Sequence, residues 1–385
     1  MKKTLLSIAL VAASGTALAG DFYNGRLTGM SGAGVVTGNY VDGILANPSL
    51  GASYADNDDF AIAINAGAMG SDQDDLLDGL DEAVDFLDYL SSIQDVQDLD
   101  AELAEEAKVL LQNIDAKTAQ IGVGGSLVLA IPNDVISIAL VAKTRIDASV
   151  TSFVDENDYE LLDSSVNQPF DPADLQSSVM GIGAMVTEVG VSLSRSLGSD
   201  SSSLLVGITP KRVTVETFIY NAQVNNFDED EFDAEEFTRE SSATSFDAGV
   251  TYVAGNLRYG LVVRDAISNE FDTISGEKYV IESQSTAAIG YHNSWFTAEV
   301  ALDLDAVPSF SMNGDVRLFR AGIELDVWNW LQVRAGMEQD LENTLEDTYS
   351  VGLGISPFDV VNLDLAAVKG QHNTLGGAIQ LGIRF

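Results

Sequence analysis

Charged residues recur at every second position beside unbroken apolar rows. In 319–327, Arg320, Glu324 and Asp326 alternate with Phe319, Ala321, Ile323, Leu325 and Val327. In 331–338, Arg334 and Glu338 alternate with Leu331, Val333, Ala335 and Met337. Arg258, Arg264, Glu299, Asp303, Asp364 and Arg384 keep the same phase in other stretches. Residues two apart on a strand share one face of a sheet. Two chemistries are open to such a face. The charges can neutralise one another and stiffen a wall, or they can orient a polar ligand head or tether a plugging segment.

Other reactive groups point nowhere so definite. The two histidines are His292 and His372, and neither has a serine–acid constellation in strand phase. No enzyme is read here. Asp155-Glu156-Asn157-Asp158 and Asp228-Glu229-Asp230-Glu231 carry oxygen ligands, but they lack the glycine and terminal glutamate of a calcium loop. They read as solvated acidic loops that could bridge weakly to lipopolysaccharide through divalent ions, and no metal site is assigned. Gly29-x-x-Gly32-x-Gly34 lacks the preceding strand and following helix that a dinucleotide loop needs. Cysteine is absent, which excludes disulfides and thiol chemistry. Nothing calls for a cofactor.

The charged faces belong to a wider pattern. Fourteen alternating stretches run from 59–69, through 117–131 and its successors, to 374–385 at the terminal Phe385. The gaps between them alternate short and long. Breaks at 132–134, 198–202, 255–256, 293–294, 328–330 and 357–359 are short; 70–116, 153–177, 222–242, 268–277, 306–314 and 340–346 are longer. Outer-membrane barrels have short periplasmic turns and long outer loops. The reading is an all-β fold: a 14-stranded antiparallel transmembrane β-barrel, with lipid on the apolar face and a lumen on the polar one. Trp295, Trp328, Trp330, Phe358 and Phe385 stand at periplasmic strand ends and read as an aromatic girdle.

Residues 1–19 read as a cleaved secretory signal, with Lys2 and Lys3, an apolar run over 5–13 and Ala17-Leu18-Ala19. That places the chain in the outer membrane of a Gram-negative bacterium, against lipid and lipopolysaccharide. The net charge of −40 excludes direct contact with nucleic acid, which needs a basic face. Thirty of the 59 carboxylates crowd into 72–115, 154–177 and 225–240. Within the first of these, Leu76, Leu80, Leu87 and Leu90 recur with a period near 3.6, and Leu99, Leu103, Ala107, Leu110 and Ile114 follow. An acidic helical hairpin over 72–115 is expected, inserted between two strands of the barrel at 58–385.

The glycine-rich stretch 20–57 precedes the first strand. Its Gly29-Met30-Ser31-Gly32-Ala33-Gly34, followed by Asn47-Pro48-Ser49-Leu50, resembles the N-terminal signature of the FadL-like outer-membrane proteins. More narrowly, the acidic insert after the first strand looks like the FadL-related plasmid-transfer TraF group. The resemblance implies an N-terminal hatch inside the barrel, with that role on Gly32, Gly34, Asn47 and Pro48. It implies passage of small hydrophobic molecules such as fatty acids. Ser49-Leu50 here replaces the more usual Ala-Gly. The alternative is a non-transporting component of a conjugation or secretion apparatus. Transport predicts a continuous apolar pocket between hatch and wall. Assembly predicts an exposed apolar stripe at Leu76, Leu80, Leu87 and Leu90 with no pocket behind it.

Overall fold

The computed structural model describes residues 23–55, 58–72, 75–93, 99–199, 202–224, 238–274, 276, 278–309, 314–328, 330–357, 360–371 and 373–385. The signal expected at 1–19 and the residues Phe358 and His372 lie outside them, as does most of the acidic run 225–240.

The strands in chain order are β1 (Ala61–Asp72), β2 (Thr118–Ile131), β3 (Ser137–Phe153), β4 (Ser178–Ser199), β5 (Ser202–Gln223), β6 (Thr238–Ala254), β7 (Leu257–Arg264), β8 (Asn269–Asp272) and β9 (Lys278–Ile281). After them come β10 (Gln284–His292), β11 (Phe296–Asp303), β12 (Val307–Pro308), β13 (Asp315–Val316), β14 (Leu318–Trp328), β15 (Leu331–Asp340), β16 (Thr348–Ile355), β17 (Val361–Gly370) and β18 (Leu375–Arg384). Fourteen of them close into one antiparallel barrel, β1 pairing with both β2 and β18. The last residue seals the ring: Phe385 donates to the Phe60 carbonyl at 2.9 Å and accepts from the Phe60 amide at 3.1 Å. Closure gives every wall strand a partner on each edge, which a membrane requires.

Alternation sets the two faces. Tyr349, Val351, Leu353 and Ile355 of β16 point outward and are exposed, while Thr348 and Ser350, on the alternate positions, are buried. In β18, Leu375, Ile379 and Leu381 face out and Gln380 is fully buried. The apolar exterior is thus the lipid face. On the rim that carries the chain end, Trp328 and Trp330 stack with centroids 5.6 Å apart, and Trp295 and Phe385 are exposed nearby.

Two expected wall strands are shorter than their patterns. Residues 278–281, read as the start of a wall strand, leave the wall and pair with 269–272 in a separate ribbon. Residues 315–316 likewise pair with 307–308. Alternation marks extended chain, and it cannot say which partner the chain takes.

On the opposite rim the acidic insert forms helices Leu76–Ile93 and Ala101–Ile114. Asp72 caps the first by accepting from the Leu76 and Leu77 amides, and Asp100 caps the second through the Glu102 and Leu103 amides. The loop read as solvated, 153–177, contains a third helix, Glu156–Ser164. Asp155 caps it. Asp158 is buried and accepts from the Ser177 amide at 2.7 Å, so these carboxylates fold a loop. Lys108 of the second helix pairs with Asp163 of the third, and that bond raises its pKa above the usual lysine value.

The helices share one core. Leu76, Leu80, Leu87 and Leu90 pack with Leu99, Ala107, Leu111, Ile114, Leu162, Phe170 and Leu175, and each of the four is at most 3% exposed. The exposed stripe predicted by the assembly reading is therefore corrected to a buried one. Helices this short cannot stay folded without burying their apolar face; the second helix and the loop residues Leu162, Phe170 and Leu175 supply the cover. Leu80→Ala should cost about 2–5 kcal/mol within this cap. Protease cutting inside 76–114 should rise sharply while the barrel's resistance to heat and detergent stays unchanged. A loss of both would mean that cap and barrel are one cooperative unit.

Candidate functional site: the segment in the lumen

Residues 23–53 occupy the barrel lumen. Only short helical turns form there, at Gly25–Thr28, Gly43–Leu45 and Pro48–Ala52. Asn24 caps the first turn through the Leu27 amide at 3.0 Å, and Asn47 caps the last through the Ser49 amide at 3.0 Å. Asn47 also donates to the Val35 carbonyl at 2.9 Å and to Thr251 Oγ1 of the wall at 3.2 Å. One amide thus links two parts of the segment to β6.

The wall makes room by omitting side chains. A Cβ on Gly249 would collide with Asn47, and one on Gly207 with Pro48. Gly260, Gly290, Gly322 and Gly336 stand in the same relation to Val36, Thr37, Met30 and Ser31. Strand pairing puts Gly207 opposite Gly249, and Gly322 opposite Gly336. These inward glycines form a belt that takes the segment's backbone at Gly207, Gly322 and Gly336 and its side chains at Gly249, Gly260 and Gly290.

Charges then fasten the fit. Glu324 accepts Arg26 along one guanidinium edge, from Nε and Nη2, each at 3.0 Å, and accepts from Arg334 Nε at 2.6 Å. Arg334 reaches on to Asp364 at 2.6 Å. Arg26 lies 3.9 Å from Asp42, which accepts from Gln380. Glu299 accepts three consecutive amides, Val35 at 2.6 Å, Val36 at 3.1 Å and Thr37 at 2.8 Å, and the Thr37 hydroxyl at 2.7 Å. That is a backbone nest filled by a wall carboxylate. Arg258 donates to the Val36 carbonyl at 3.2 Å.

The residues singled out from the sequence fall into place as follows. Gly32 has φ of +77° and sits against Arg320, while Gly34 sits against Leu27. Arg264, Arg320, Arg334, Glu299, Asp303 and Glu324 are buried on the inner face; Arg258 and Asp326 are half-buried there. Glu299, Glu324 and Arg258 bond the segment. Arg320 bridges Asp303 at 3.0 Å and Glu338 at 2.9 Å, and Arg264 bonds Gln284, all within the wall.

Sequence reasoning missed a further group: Lys211 with Glu188 at 2.6 Å, Asp247 at 2.9 Å and Asp265 at 2.8 Å, and Lys143 with Glu188 at 3.0 Å. The strands that carry it are up to 22 residues long, about twice what a bilayer needs. Toward the helical cap Arg212 points outward and Val213 and Val215 point inward, so the simple alternation reverses and hides the phase.

A cavity of about 380 Å³ lies between the segment and the chain-end rim. Its lining includes Asp42, Arg258, His292, Asp326, Arg334 and Asp364. A smaller one of about 40 Å³ lies on the cap side, beside Tyr23, Ser31 and Met69. The larger cavity is polar, where transport predicts an apolar pocket. The same wall charges that fasten the segment line it.

A family described as "F plasmid transfer operon, TraF, protein" matches residues 44–303. The chain belongs to this family. No curated protein matches the sequence. Among solved structures, a toluene transporter of Ralstonia pickettii, TbuX, is similar over 96% of this chain and 100% of its own, at 10% identity and TM-score 0.54. A FadL homologue of Pseudomonas aeruginosa is similar over 97% and 99%, at 10% identity and TM-score 0.51. A deletion mutant of TodX, a monoaromatic hydrocarbon channel, is similar over 94% and 99%, at 10% identity and TM-score 0.53. This member of the TraF family therefore has the FadL-like outer-membrane barrel fold.

Glu324→Gln should loosen the segment. It removes the charge shared by two buried arginines, and breaking such a pair costs about 3–5 kcal/mol. Amide exchange across 25–37 should accelerate by at least tenfold while β16 and β17 keep their protection. Unchanged exchange would show that the segment is fixed by packing alone.

Proposed function

We propose that this protein is an outer-membrane channel for small hydrophobic molecules, with residues 23–53 as a hatch. Ligand enters from the rim that carries the helical cap. Movement of the segment then opens the way to the periplasm. The supporting observation is the hatch itself: a folded segment seated on a glycine belt and joined to the wall by polar side chains at Glu324, Glu299, Arg258, Gln380, Thr251 and Ser350. Polar bonds that water can replace, on a wall that omits side chains, suit an element that must leave its seat and return. The fold shared along nearly full length with TbuX, named a toluene transporter, supports the class of cargo.

Gly32, Gly34, Asn47 and Pro48 would act by fit and capping, and the luminal charges by tethering. The polar cavity below the hatch suits a wet exit more than a binding pocket, so the cargo's apolar contacts must lie elsewhere in the lumen. A docking role for the cap in a conjugation or secretion apparatus loses its main support, because the leucine stripe it would use is covered.

Uptake of labelled toluene and of a labelled long-chain fatty acid by cells with and without the protein tests this reading. Uptake of at least one should fall several-fold on deletion and return with the intact gene. Equal uptake of both would overturn the transport reading.

A further inference from the structure

The ribbon β8–β9 does not extend outward with the other loops of its rim. It folds back across the inner faces of β6, β5 and β4. Its Phe271 and Tyr279 are 2% and 4% exposed, with ring centroids 6.3 Å apart. They are buried against Ala184, Val186, Val213 and Val215, all on inward positions of the wall. The Tyr279 hydroxyl accepts from Arg145 of β3 at 3.4 Å, so the ribbon spans from β7 to β3.

Its base is fixed and its body is held by apolar contact. Asp265, with φ of +46°, turns the chain out of β7 and is held by Lys211 at 2.8 Å and by its own amide on Asp247 at 2.8 Å. Ser245 of β6 bonds the Ile267 amide and carbonyl at 3.1 and 3.0 Å. Ser268 accepts from the Ser283 amide at 3.0 Å and joins the two legs. Beyond this base, the ion pairs of Asp272 with Lys278 and Arg239 are exposed, and exposed pairs add little. The two rings therefore carry most of the ribbon's attachment.

We propose that β8–β9 is a second, outer closure of the lumen, and that the seat of Phe271 and Tyr279 is an apolar binding site that a small aromatic ligand takes when the ribbon swings away. The inference deepens the transport reading and rests on it for the cargo class. Ligand and resident rings exchange on one seat. The patch is apolar, inward-facing and sized for two six-membered rings. A ligand ring that replaces a resident ring buries similar area, so the displacement has little net cost. The charge cluster at Lys211, which tethers nothing of the hatch, gains a use: it holds the hinge while the ribbon moves.

The chain has no cysteine, so a single Val213→Cys reports the seat. In otherwise native protein reconstituted in vesicles, its reaction with a small maleimide should be slow. In Phe271→Ala/Tyr279→Ala background it should be at least tenfold faster. Without the cysteine, the same double variant should bind N-phenyl-1-naphthylamine, an apolar aromatic fluorophore, at least tenfold more tightly than native protein, because the resident competitor is gone. Adding Val215→Asp should abolish that gain. Each variant is first checked for heat-resistant barrel migration, and Phe271→Leu/Tyr279→Phe serves as a conservative pair that should stay closed. Equal labelling rates would overturn the closure. Faster labelling with no gain in fluorophore binding would overturn the ligand site. Both readouts are made on purified protein. Loss of the cellular uptake effect with these results intact would therefore strike the transport reading alone.

Discussion

A strand in lipid cannot leave its backbone groups unpaired. In this molecule that constraint is met by closing β1 on β18, down to the bonds between Phe60 and Phe385. Closure fixes which face of each strand looks inward, because a slip of one residue would turn every side chain over. The buried arginines and carboxylates of β11, β14 and β15 are possible only because the ring encloses them. Gly207 and Gly249, or Gly322 and Gly336, become neighbours on one belt for the same reason.

The enclosed space is then filled twice, by different physics. From the chain-end side, the N-terminal segment fits by absence of side chains and is fixed by a few charge-assisted bonds, Glu324 to Arg26 foremost. From the cap side, the β8–β9 ribbon fits by presence of side chains, two aromatic rings on an aliphatic patch. A polar seat and an apolar one therefore lie in series along the same lumen. The larger cavity, on the polar side, carries charge on several walls. An apolar cargo would meet its favourable surface first and its wet exit second.

Much of this was written in residue order. Ile379, Leu381 and Ile383 facing Gln380 and Gly382 announce a wall, and short breaks alternating with long ones announce its orientation. The helical insert showed in the spacing of Leu76, Leu80, Leu87 and Leu90. What the spacing could not show is what covers them, since Leu162, Phe170 and Leu175 come from a loop more than 70 residues on. The inward phase of Glu299 and Glu324 was legible, but their partners were not, because Val35 and Arg26 lie far away along the chain. The glycine belt left a signal, one glycine on the inner face of successive strands, that only the register makes meaningful. The ribbon left none, as extended chain looks alike in a wall and beside it.

The N-terminal segment sits inside a closed barrel, packed against the inner face of its wall. Ser31 and Ser350 are 319 residues apart, and their hydroxyls lie 2.8 Å from each other. In a chain free of cysteine, Ser31→Cys/Ser350→Cys should form an intramolecular disulfide under oxidising conditions. The account predicts near-complete crosslinking, seen as a reducible shift in the migration of the unfolded chain. Two free thiols in a membrane-inserted, heat-resistant barrel would contradict it.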